Sequence, residues 1–471
     1  MNTSDFTTAF PEIFLVLGAI FVLMFGTFFN KPVICSVLSL ALVIATFVLL
    51  FTGNTAPTPI FNNLFVHDNL GTYFKGLILI SVFFSIFISL NYTKKLKLFE
   101  YPVLILLCTV GMMLMVSANN FMSLYLALEL HSLPMYILVS LERKNVKSSE
   151  AGMKYFILGA IASGILLYGC SLIYGLTGTL DFTVLHSTLE TSTGVLIGMI
   201  LVVSGVAFKL SAAPFHMWTP DVYEGSPTPI TTFLAIAPKI AVVGLLVRVL
   251  FTPFFAMKTD WQTLVAFLSV ASMAVGAFGA LRQTNIKRLL AYSTIGNMGY
   301  VLLALASGSV AGIKGAFIFL AIYIVGNLGA FAGVLLMRRG GKEVGNINDL
   351  AGLSKYNPVW AFAMAIIMFS LAAVPPFAGF FGKLYVFLPA IESGLFGVAV
   401  FGVIMSVVSA FYYLRVIKIM YIDVSDEPLD TPYSAQIYYT VLVSSVALLA
   451  FVLHPSCLLK IAELAVAGFG G

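Results

Sequence analysis

VLIGMILVVSGVAFKLSAAPFHMWTPDVYEGSPTPI, residues Val195–Ile230, is the most informative segment of this chain. It begins as an uninterrupted apolar run of 14 residues, reaches Lys209, and then contains four prolines, the first of which is Pro214. At ~1.5 Å per helical residue, Lys209 lies roughly 21 Å along a helix, still within a hydrocarbon layer about 30 Å thick. A charge and a proline without a backbone N–H are both costly at that depth. We therefore expect a broken transmembrane helix whose lysine is surrounded by protein or by a hydrated cavity.

The composition of the whole chain is typical of a polytopic membrane protein. Of the 471 residues, 60% are hydrophobic and only 10% are charged, whereas a soluble domain has roughly 25% charged residues. The four cysteines are scattered without a CxxC spacing, and there is no GxGxxG turn after a strand and no Walker loop. The basic residues are divided among short loops, which speaks against nucleic-acid binding. We therefore expect a chain that lies in the lipid bilayer and binds no metal, no cofactor and no nucleic acid.

Apolar stretches of spanning length divide the chain into about fourteen segments. The predicted spans are 11–29, 33–52, 72–91, 101–117, 120–141, 149–176, 194–213, 229–251, 261–281, 286–306, 310–337, 358–390, 396–420 and 436–455. They are apolar on all sides, which predicts membrane-spanning helices. The fold class predicted is an all-α polytopic membrane protein with about fourteen transmembrane helices, of which the seventh and the twelfth are broken.

The distribution of lysine and arginine predicts the orientation of this ladder of spans. Loops after the odd-numbered spans carry sixteen of the 25 basic residues, among them Lys97, whereas loops after the even-numbered spans and the C-terminal tail carry five, among them Lys75 and Arg248. The positive-inside rule then places both termini on the periplasmic or intermembrane side. Four lysines lie outside these loops: Lys154, Lys209, Lys239 and Lys383.

Ionisable residues inside spans are functional hypotheses by default. Glu129, in FMSLYLALELHSLPMY, is the only carboxylate that the sequence places deep within a span. Burial disfavours the charged form of a lysine, so a row of buried lysines can hold and release protons. A carboxylate near Lys209 would keep that lysine charged, and its withdrawal would let the proton go. The sequence therefore predicts a proton relay in which Glu129 and Lys209 form an electrostatic switch.

Simpler interpretations of individual residues stay open. Lys154 follows the capped helix start Ser148–Glu150, so its side chain could extend to the membrane interface. Glu129 could be a structural partner for a lysine. His216 could either relay protons or satisfy backbone groups that Pro214 leaves without a partner.

Two further patterns point to a family. KLSAAPF at 209–215 is echoed by LAAVPPFAGFFGK at 371–383, and broken helices at corresponding positions are typical of transporters with inverted repeats. With LxLELxSLxxY around Glu129 and PFHMWTPDVYEGSPTP after Lys209, the chain resembles the antiporter-like subunits of respiratory complex I. It is most similar to their N type, because FLAIAPKIA at 233–241 lacks the HAAT-like signature of the L and M types, and the M type has a glutamate where Lys383 stands.

This resemblance implies a domain organisation and residue roles. It implies two inverted five-helix repeats, spans 4–8 and 9–13, with three helices in 1–100, the repeats in 101–252 and 253–421, and the last helix with the tail in 422–471. Glu129 would be the switch carboxylate and Lys209 its partner. Lys239 would be the central relay and Lys383 the exit-side residue, with Lys154 and His216 in secondary roles.

The function implied is that of a proton-translocating, non-redox subunit of an NADH:quinone oxidoreductase. NADH, FMN, iron–sulfur clusters and quinone would be bound elsewhere in the complex, and the neighbouring subunits would be the antiporter-like subunit M and the small subunit K. The membrane would be the bacterial plasma membrane or the mitochondrial inner membrane. The alternatives are a multisubunit Na⁺/H⁺ antiporter of the Mrp type, a membrane-bound hydrogenase, and a helix scaffold whose charges only pair within an assembly.

Overall fold

A computed structural model describes residues 3–52, 58–96, 98–424 and 427–467, so that Lys97 of the basic loops lies outside the described residues. The described α-helices are α1 Thr3–Thr8, α2 Phe10–Phe29, α3 Pro32–Leu50, α4 Asn69–Leu96, α5 Glu100–Val116, α6 Phe121–Val139, α7 Val146–Thr177, α8 Phe182–Thr188, α9 Thr193–Leu210, α10 Trp218–Gly225, α11 Thr228–Phe251, α12 Lys258–Leu281, α13 Ile286–Ala306, α14 Val310–Leu336, α15 Leu353–Tyr356, α16 Pro358–Leu371, α17 Ala378–Glu392, α18 Phe396–Tyr421, α19 Ala435–Leu453 and α20 Ser456–Val466. Two 3-10 helices, Phe255–Met257 and Ile347–Leu350, and two short antiparallel hairpins, β1 Thr58–Ile60 with β2 Phe65–His67 and β3 Arg338–Arg339 with β4 Lys342–Glu343, complete this part of the chain.

The predicted all-α polytopic fold is confirmed. Twelve of the described helices are long and apolar enough to cross a membrane. The remaining two predicted spans correspond to α5, which has 17 residues, and to the broken pair α16 and α17. The predicted spans coincide with these helices because apolar runs of this length satisfy their backbone hydrogen bonds internally only as helices.

Both predicted helix breaks are present and share two backbone features. α9 and α10 are separated by residues 211–217, and α16 and α17 by residues 372–377. Ser211 has a φ of 66° and Ala373 a φ of 57°, a left-handed conformation that side-chain-bearing residues rarely adopt. A cis proline bond follows at the same offset in each break, at Pro214 and at Pro376. The sequence echo therefore corresponds to a repeated backbone conformation.

Two helices of the candidate site, α6 and α7, begin at side-chain caps. The side chain of Asn120 accepts a hydrogen bond from the backbone N–H of Met122 at the start of α6. Asn145 does the same for Lys147 at the start of α7, which ends at Gly178 in the left-handed conformation. These caps satisfy backbone groups that a helix end leaves without partners.

Contacts within the chain define two compact units. The first comprises the described residues of Met1–Leu210, Ala237–Leu264 and Glu463–Gly471, and the second those of Ser211–Ile236 and Val265–Ala462. The repeat boundaries at 101–252 and 253–421, and the inverted symmetry between the repeats, stay predictions.

Gly379, in the first turn of α17, provides a test of the second helix break. Its N–H donates to Ser370 Oγ at 3.1 Å, and a Cβ atom at this position would overlap the carbonyl oxygen of Ser370. We expect Gly379→Ala to destabilise the protein by about 1–3 kcal/mol, because overpacking forces the backbone to shift. Gly397→Ala is the matched control, since no atom lies within 4 Å of its Cβ position. Equal thermal unfolding midpoints for the two variants in detergent would contradict this account of the break.

Candidate functional site

Lys209, in the last turn of α9, is buried in the first unit and hydrogen-bonded to hydroxyl groups. Only 4% of the surface of Lys209 is exposed. Nζ donates to Ser132 Oγ at 2.7 Å and to the Tyr136 hydroxyl at 3.1 Å. Both partners are on α6, one turn apart. A hydroxyl can also donate a hydrogen bond, so these contacts remain possible when the lysine has lost its proton.

Aromatic rings enclose the same ammonium group. Nζ of Lys209 lies 5.3 Å from the ring centroid of Tyr136, and 5.9 Å from the centroids of both Tyr155 and Phe208. The rings of Tyr136 and Tyr155 contact each other edge to face at 4.8 Å. Ring faces attract a cation within about 6 Å of the centroid, and they do so without introducing a negative charge.

Lys239 is completely buried, and its side chain reaches the end of α9. Its Nζ donates to the backbone carbonyl oxygen of Lys209 at 3.0 Å. In a continuous helix that carbonyl would accept from Ala213, but the helix ends at Leu210 and the N–H of Ala213 donates to Ser272 Oγ at 2.8 Å instead. The break therefore frees a carbonyl group at the negative end of the helix dipole, where a lysine is stabilised.

Glu129 lies one helical turn before Ser132 on α6, next to the exposed surface of that helix. It is half-buried, and the apolar side chains of Leu126, Leu130 and Leu133 around it are exposed. Its buried Oε1 has no hydrogen-bond partner among the described residues. No ion pair between Glu129 and Lys209 is present among the described residues. The switch role of Glu129 stays a prediction.

The two secondary residues differ from Lys209 in their surroundings. The side chain of Lys154 is 42% exposed and its ammonium lies 2.7 Å from the Glu150 carboxylate, so Lys154 is not buried with Lys209. His216 lies in the segment between α9 and α10 and is half-buried, and its Nδ1 has no partner among the described residues. Proton-relay roles for both stay predictions.

Lys383 occupies a separate buried site in the second unit. Its Nζ donates to Ser406 Oγ on α18 at 2.6 Å and lies 4.3 Å from the ring centroid of Tyr300 on α13. The residue is 5% exposed. Like Lys209, Lys383 therefore combines a hydroxyl acceptor with the face of a tyrosine ring.

A row of polar side chains on α13 continues from this tyrosine. Ser293, Asn297 and Tyr300 follow at helical spacings of four and three residues, so they share one face of the helix. Asn297 Nδ2 donates to Ser293 Oγ at 3.3 Å, and Ser293 shares a short hydrogen bond with the hydroxyl of Tyr413. The second unit thus contains a chain of buried, hydrogen-bonded side chains on the helix face that also carries Tyr300, the ring beside Lys383.

Two other buried cations differ from these lysines, because each contacts a carboxylate. Lys75 Nζ lies 2.6 Å from Glu12 Oε1, and Arg248 holds Asp68 with two contacts of 2.9 Å. The grouping of Lys75 and Arg248 with the loop residues was wrong, since they are 1% and 4% exposed. Glu12, in the first turn of α2, is a carboxylate at a span end that is also removed from water, with 3% of its surface exposed.

Asp68 is held ionised by its neighbours. Burial alone would raise the pKa of this carboxyl, but the Arg248 guanidinium beside it and the backbone N–H of Gly71, at 2.7 Å, hold the pKa below its ordinary value. Arg248 also donates through Nε to the carbonyl oxygen of Val116 at 2.9 Å. The pair therefore joins the segment before α4 to α5 and α11.

The sequence contained a signal for some of these partners but not for others. Ser132 and Tyr136 follow Glu129 by three and seven residues, a spacing that places all three on one side of α6. Ser406 is on the next helix, α18, and Tyr300 is separated from Lys383 by three helices, so no spacing within one helix connects either of them with it. Their role could be found only from the folded chain.

Comparison with known proteins assigns the fold to a family. The family model described as NADH:quinone oxidoreductase/Mrp antiporter, TM, matches residues 118–409. NADH-quinone oxidoreductase subunit N of Paramagnetospirillum magneticum is 47% identical over 99% of this chain and 98% of its own length. Subunit N of Rhodospirillum rubrum is also 47% identical, over 97% of this chain and 96% of its own.

Solved structures give the same answer for the fold. A chain of respiratory complex I from Thermus thermophilus has a TM-score of 0.84 and 30% identity, and the match covers 97% of this chain and 99% of that one. A chain of the Mrp complex from Dietzia sp. has a TM-score of 0.87 over 98% of this chain and 97% of its own, but at 21% identity it shows only a shared fold. The chain therefore belongs to the subunit N family of NADH-quinone oxidoreductase, within the wider family that also includes the Mrp antiporters.

Proposed function

We propose that this chain is a proton-translocating membrane subunit of an NADH:quinone oxidoreductase, and that Lys209, Lys239 and Lys383 carry the protons. A contrast between two kinds of buried cation supports this. Lys75 and Arg248 contact carboxylates, as buried structural cations are expected to do. The ammonium groups of Lys209 and Lys383 instead contact hydroxyl oxygens and aromatic rings, and among the described residues neither forms an ion pair. Such lysines can lose a proton without leaving a buried carboxylate unpaired.

The chemistry of the first unit follows from the end of α9. Lys239 bonds the backbone carbonyl of Lys209, so both side chains belong to one small site. Two positive charges in one site disfavour each other, and a proton that arrives on Lys209 therefore promotes release from Lys239. In the proposed cycle Glu129 moves toward Lys209 to favour its charged form and away to favour release. The energy comes from quinone reduction in another part of the complex.

Lys383 is proposed to hold and release the proton in the second unit. Its partners Ser406 and Tyr300 are neutral, so either state of the amine keeps a hydrogen-bond partner. Release toward the outer side is part of the proposal, in line with the exit-side role that the family resemblance implies.

The remaining features of the proposal concern the surroundings of the chain. NADH, FMN, iron–sulfur clusters and quinone would be bound by other subunits, so that this chain has no redox role of its own. The antiporter-like subunit M and the small subunit K would be its neighbours. The excess of basic residues in alternate loops supports termini on the periplasmic or intermembrane side of a bacterial plasma membrane or mitochondrial inner membrane.

Purification of the intact assembly separates this function from its alternatives. A tagged form of the chain should copurify with NADH:quinone reductase activity from detergent-solubilised membranes. Copurification with a cation/proton antiporter or a hydrogenase, and without NADH dehydrogenase activity, would contradict the proposal.

Glu129→Gln tests the switch. We expect proton translocation coupled to NADH oxidation to fall about tenfold, the effect of about 1.4 kcal/mol of lost electrostatic bias. Glu392→Gln is the matched control, because Glu392 is an exposed carboxylate at the end of α17. The rate of acidification inside sealed membrane vesicles, normalised to assembled complex, is the measurement. Equal rates in the two variants would remove Glu129 from the mechanism.

A further inference from the structure

A crevice of about 400 Å³ lies between α6 and α7, on the side of the membrane where the basic loop 140–145 joins these helices. Its polar lining residues are Tyr136, Ser140, Arg143 and Ser149. Nothing in the proton relay described above uses this crevice, and all of its lining residues belong to the first unit.

The polar lining forms a gradient of burial. Arg143 and Ser149 at the mouth are exposed, Ser140 is partly buried, and Tyr136 is 7% exposed. The hydroxyl of Tyr136 is the group that accepts a hydrogen bond from Lys209 at 3.1 Å. One residue therefore both lines the crevice and contacts the buried lysine.

Two glycines on α7 allow α6 and α7 to approach each other closely along this route. A Cβ atom at Gly152 would lie 2.5 Å from Cβ of Ser140, and one at Gly159 would overlap the hydroxyl of Tyr136. The glycines are seven residues apart, so they lie on the same face of α7, which is the face toward α6. A side chain at Gly152, which lines the crevice, would collide with Ser140, and one at Gly159 would displace the tyrosine at the inner end.

The geometry points to this crevice as the path by which Lys209 takes up protons from the cytoplasmic or matrix side, with Tyr136 as the relay residue. This inference rests on the proposed function and adds to it the route of uptake. Two coupled proton transfers make up the uptake step. The Tyr136 hydroxyl gives its proton to the neutral amine of Lys209 and takes one from a hydronium ion in the crevice, which leaves water. The tyrosine is unchanged at the end, and Lys209 is charged.

Labelling of a cysteine in the crevice tests its access to water. In the intact complex, with the exposed Cys457 replaced by serine, Ser140→Cys should react with a positively charged methanethiosulfonate applied to inside-out vesicles. Leu133→Cys is the control, because Leu133 is exposed on the same face of α6 but lies two turns deeper and does not line the crevice. We expect labelling of Ser140→Cys alone, with proton translocation reduced about tenfold or more by loss of the relay. Failure of Ser140→Cys to label, or labelling without loss of translocation, would overturn the proposal.

Tyr136→Phe tests the relay hydroxyl while the ring is kept. We expect slower proton translocation in Tyr136→Phe. As the pH on the uptake side is raised, the rate should begin to fall at a lower pH than in the wild type, because proton delivery to Lys209 becomes limiting. A purely structural role of the tyrosine would lower the amount of assembled complex but leave the pH profile unchanged. An unchanged pH profile and rate per assembled complex would overturn the relay role.

Alanine substitutions on α7 add a readout that does not depend on labelling. Gly152→Ala should slow translocation, whereas Gly164→Ala should not, since no atom lies within 4 Å of its Cβ position. Equal translocation rates in the two variants would count against the crevice as the uptake path. Lys209→Met separates this inference from the proposed function. If Lys209→Met translocates protons normally, the function proposed for the lysine is wrong. If Lys209→Met loses translocation but labelled Ser140→Cys keeps it, only the uptake path is disproved.

Discussion

Lys239→Met is expected to abolish most of the proton translocation that depends on this chain. Methionine has a similar length and fits a fully buried position, but it can neither hold a proton nor donate to the Lys209 carbonyl. A positioned proton-transfer group contributes about 10²–10⁴-fold to the rate of its step, so this step should become slower by at least about a hundredfold. The measurement is the initial rate of acidification of sealed vesicles upon addition of NADH, normalised to the amount of assembled complex.

Lys258→Met is the matched control for this experiment. Lys258 is the exposed first residue of α12, so the same change of side chain there removes a cation from water rather than from the interior. The control should keep the wild-type rate. A wild-type rate in Lys239→Met as well would mean that the buried lysine is structural.

Arg248→Met is expected to destabilise the chain more than any change at the exposed cations. It leaves the buried Asp68 carboxylate without its guanidinium partner and the Val116 carbonyl without a donor. Breaking a buried ion pair from one side costs about 3–5 kcal/mol, because the remaining charge stays in a region of low dielectric constant. We expect a lower thermal unfolding midpoint of the purified complex and less of the chain in assembled complexes on native gels.

A second substitution distinguishes the ion pair from simple loss of packing. Asp68→Asn combined with Arg248→Met removes the stranded charge and should recover part of the lost stability. Arg282→Met, at an exposed arginine, should change stability by no more than about 0.5 kcal/mol. If the double variant were as unstable as Arg248→Met alone, the cost would come from packing and not from the unpaired carboxylate.

The sequence was sufficient to predict the spans, the two breaks and three of the buried lysines, Lys209, Lys239 and Lys383. Long apolar runs leave few structural choices in a bilayer, and a proline beside a lysine at membrane depth indicates an interrupted helix. The first half of the candidate site was also within reach, because Glu129, Ser132 and Tyr136 share one side of a single helix. Periodicity within one helix carries this information.

Contacts between distant helices could not be predicted in the same way. Arg248 meets Asp68 across 180 residues of chain, and Lys75 meets Glu12, a residue at the start of another helix. Without these partners, the two cations look like ordinary residues at span ends. The exposed position of Lys154 has the same cause, because the sequence places it in an apolar span but does not say which side of α7 faces outward.

The distinction between the two groups of buried cations therefore depends on the folded chain. Cations that contact carboxylates form buried ion pairs, and we assign Lys75 and Arg248 to the stability of the first unit. Lys209, Lys239 and Lys383 contact hydroxyls, rings and a helix-end carbonyl, and we propose that these lysines transfer protons. This assignment is the central claim about the chain.

The most direct test compares Lys239→Arg with the wild type in the intact complex. Arginine keeps a positive charge and hydrogen-bond donors at this position, but a guanidinium does not release its proton in proteins. The measurement is the number of protons translocated per NADH oxidised in sealed vesicles, with assembly checked on native gels. We predict that assembled Lys239→Arg complexes translocate fewer protons per NADH, as Lys239→Met complexes do. A wild-type ratio in Lys239→Arg would show that only the charge is needed, and would contradict proton transfer through this lysine.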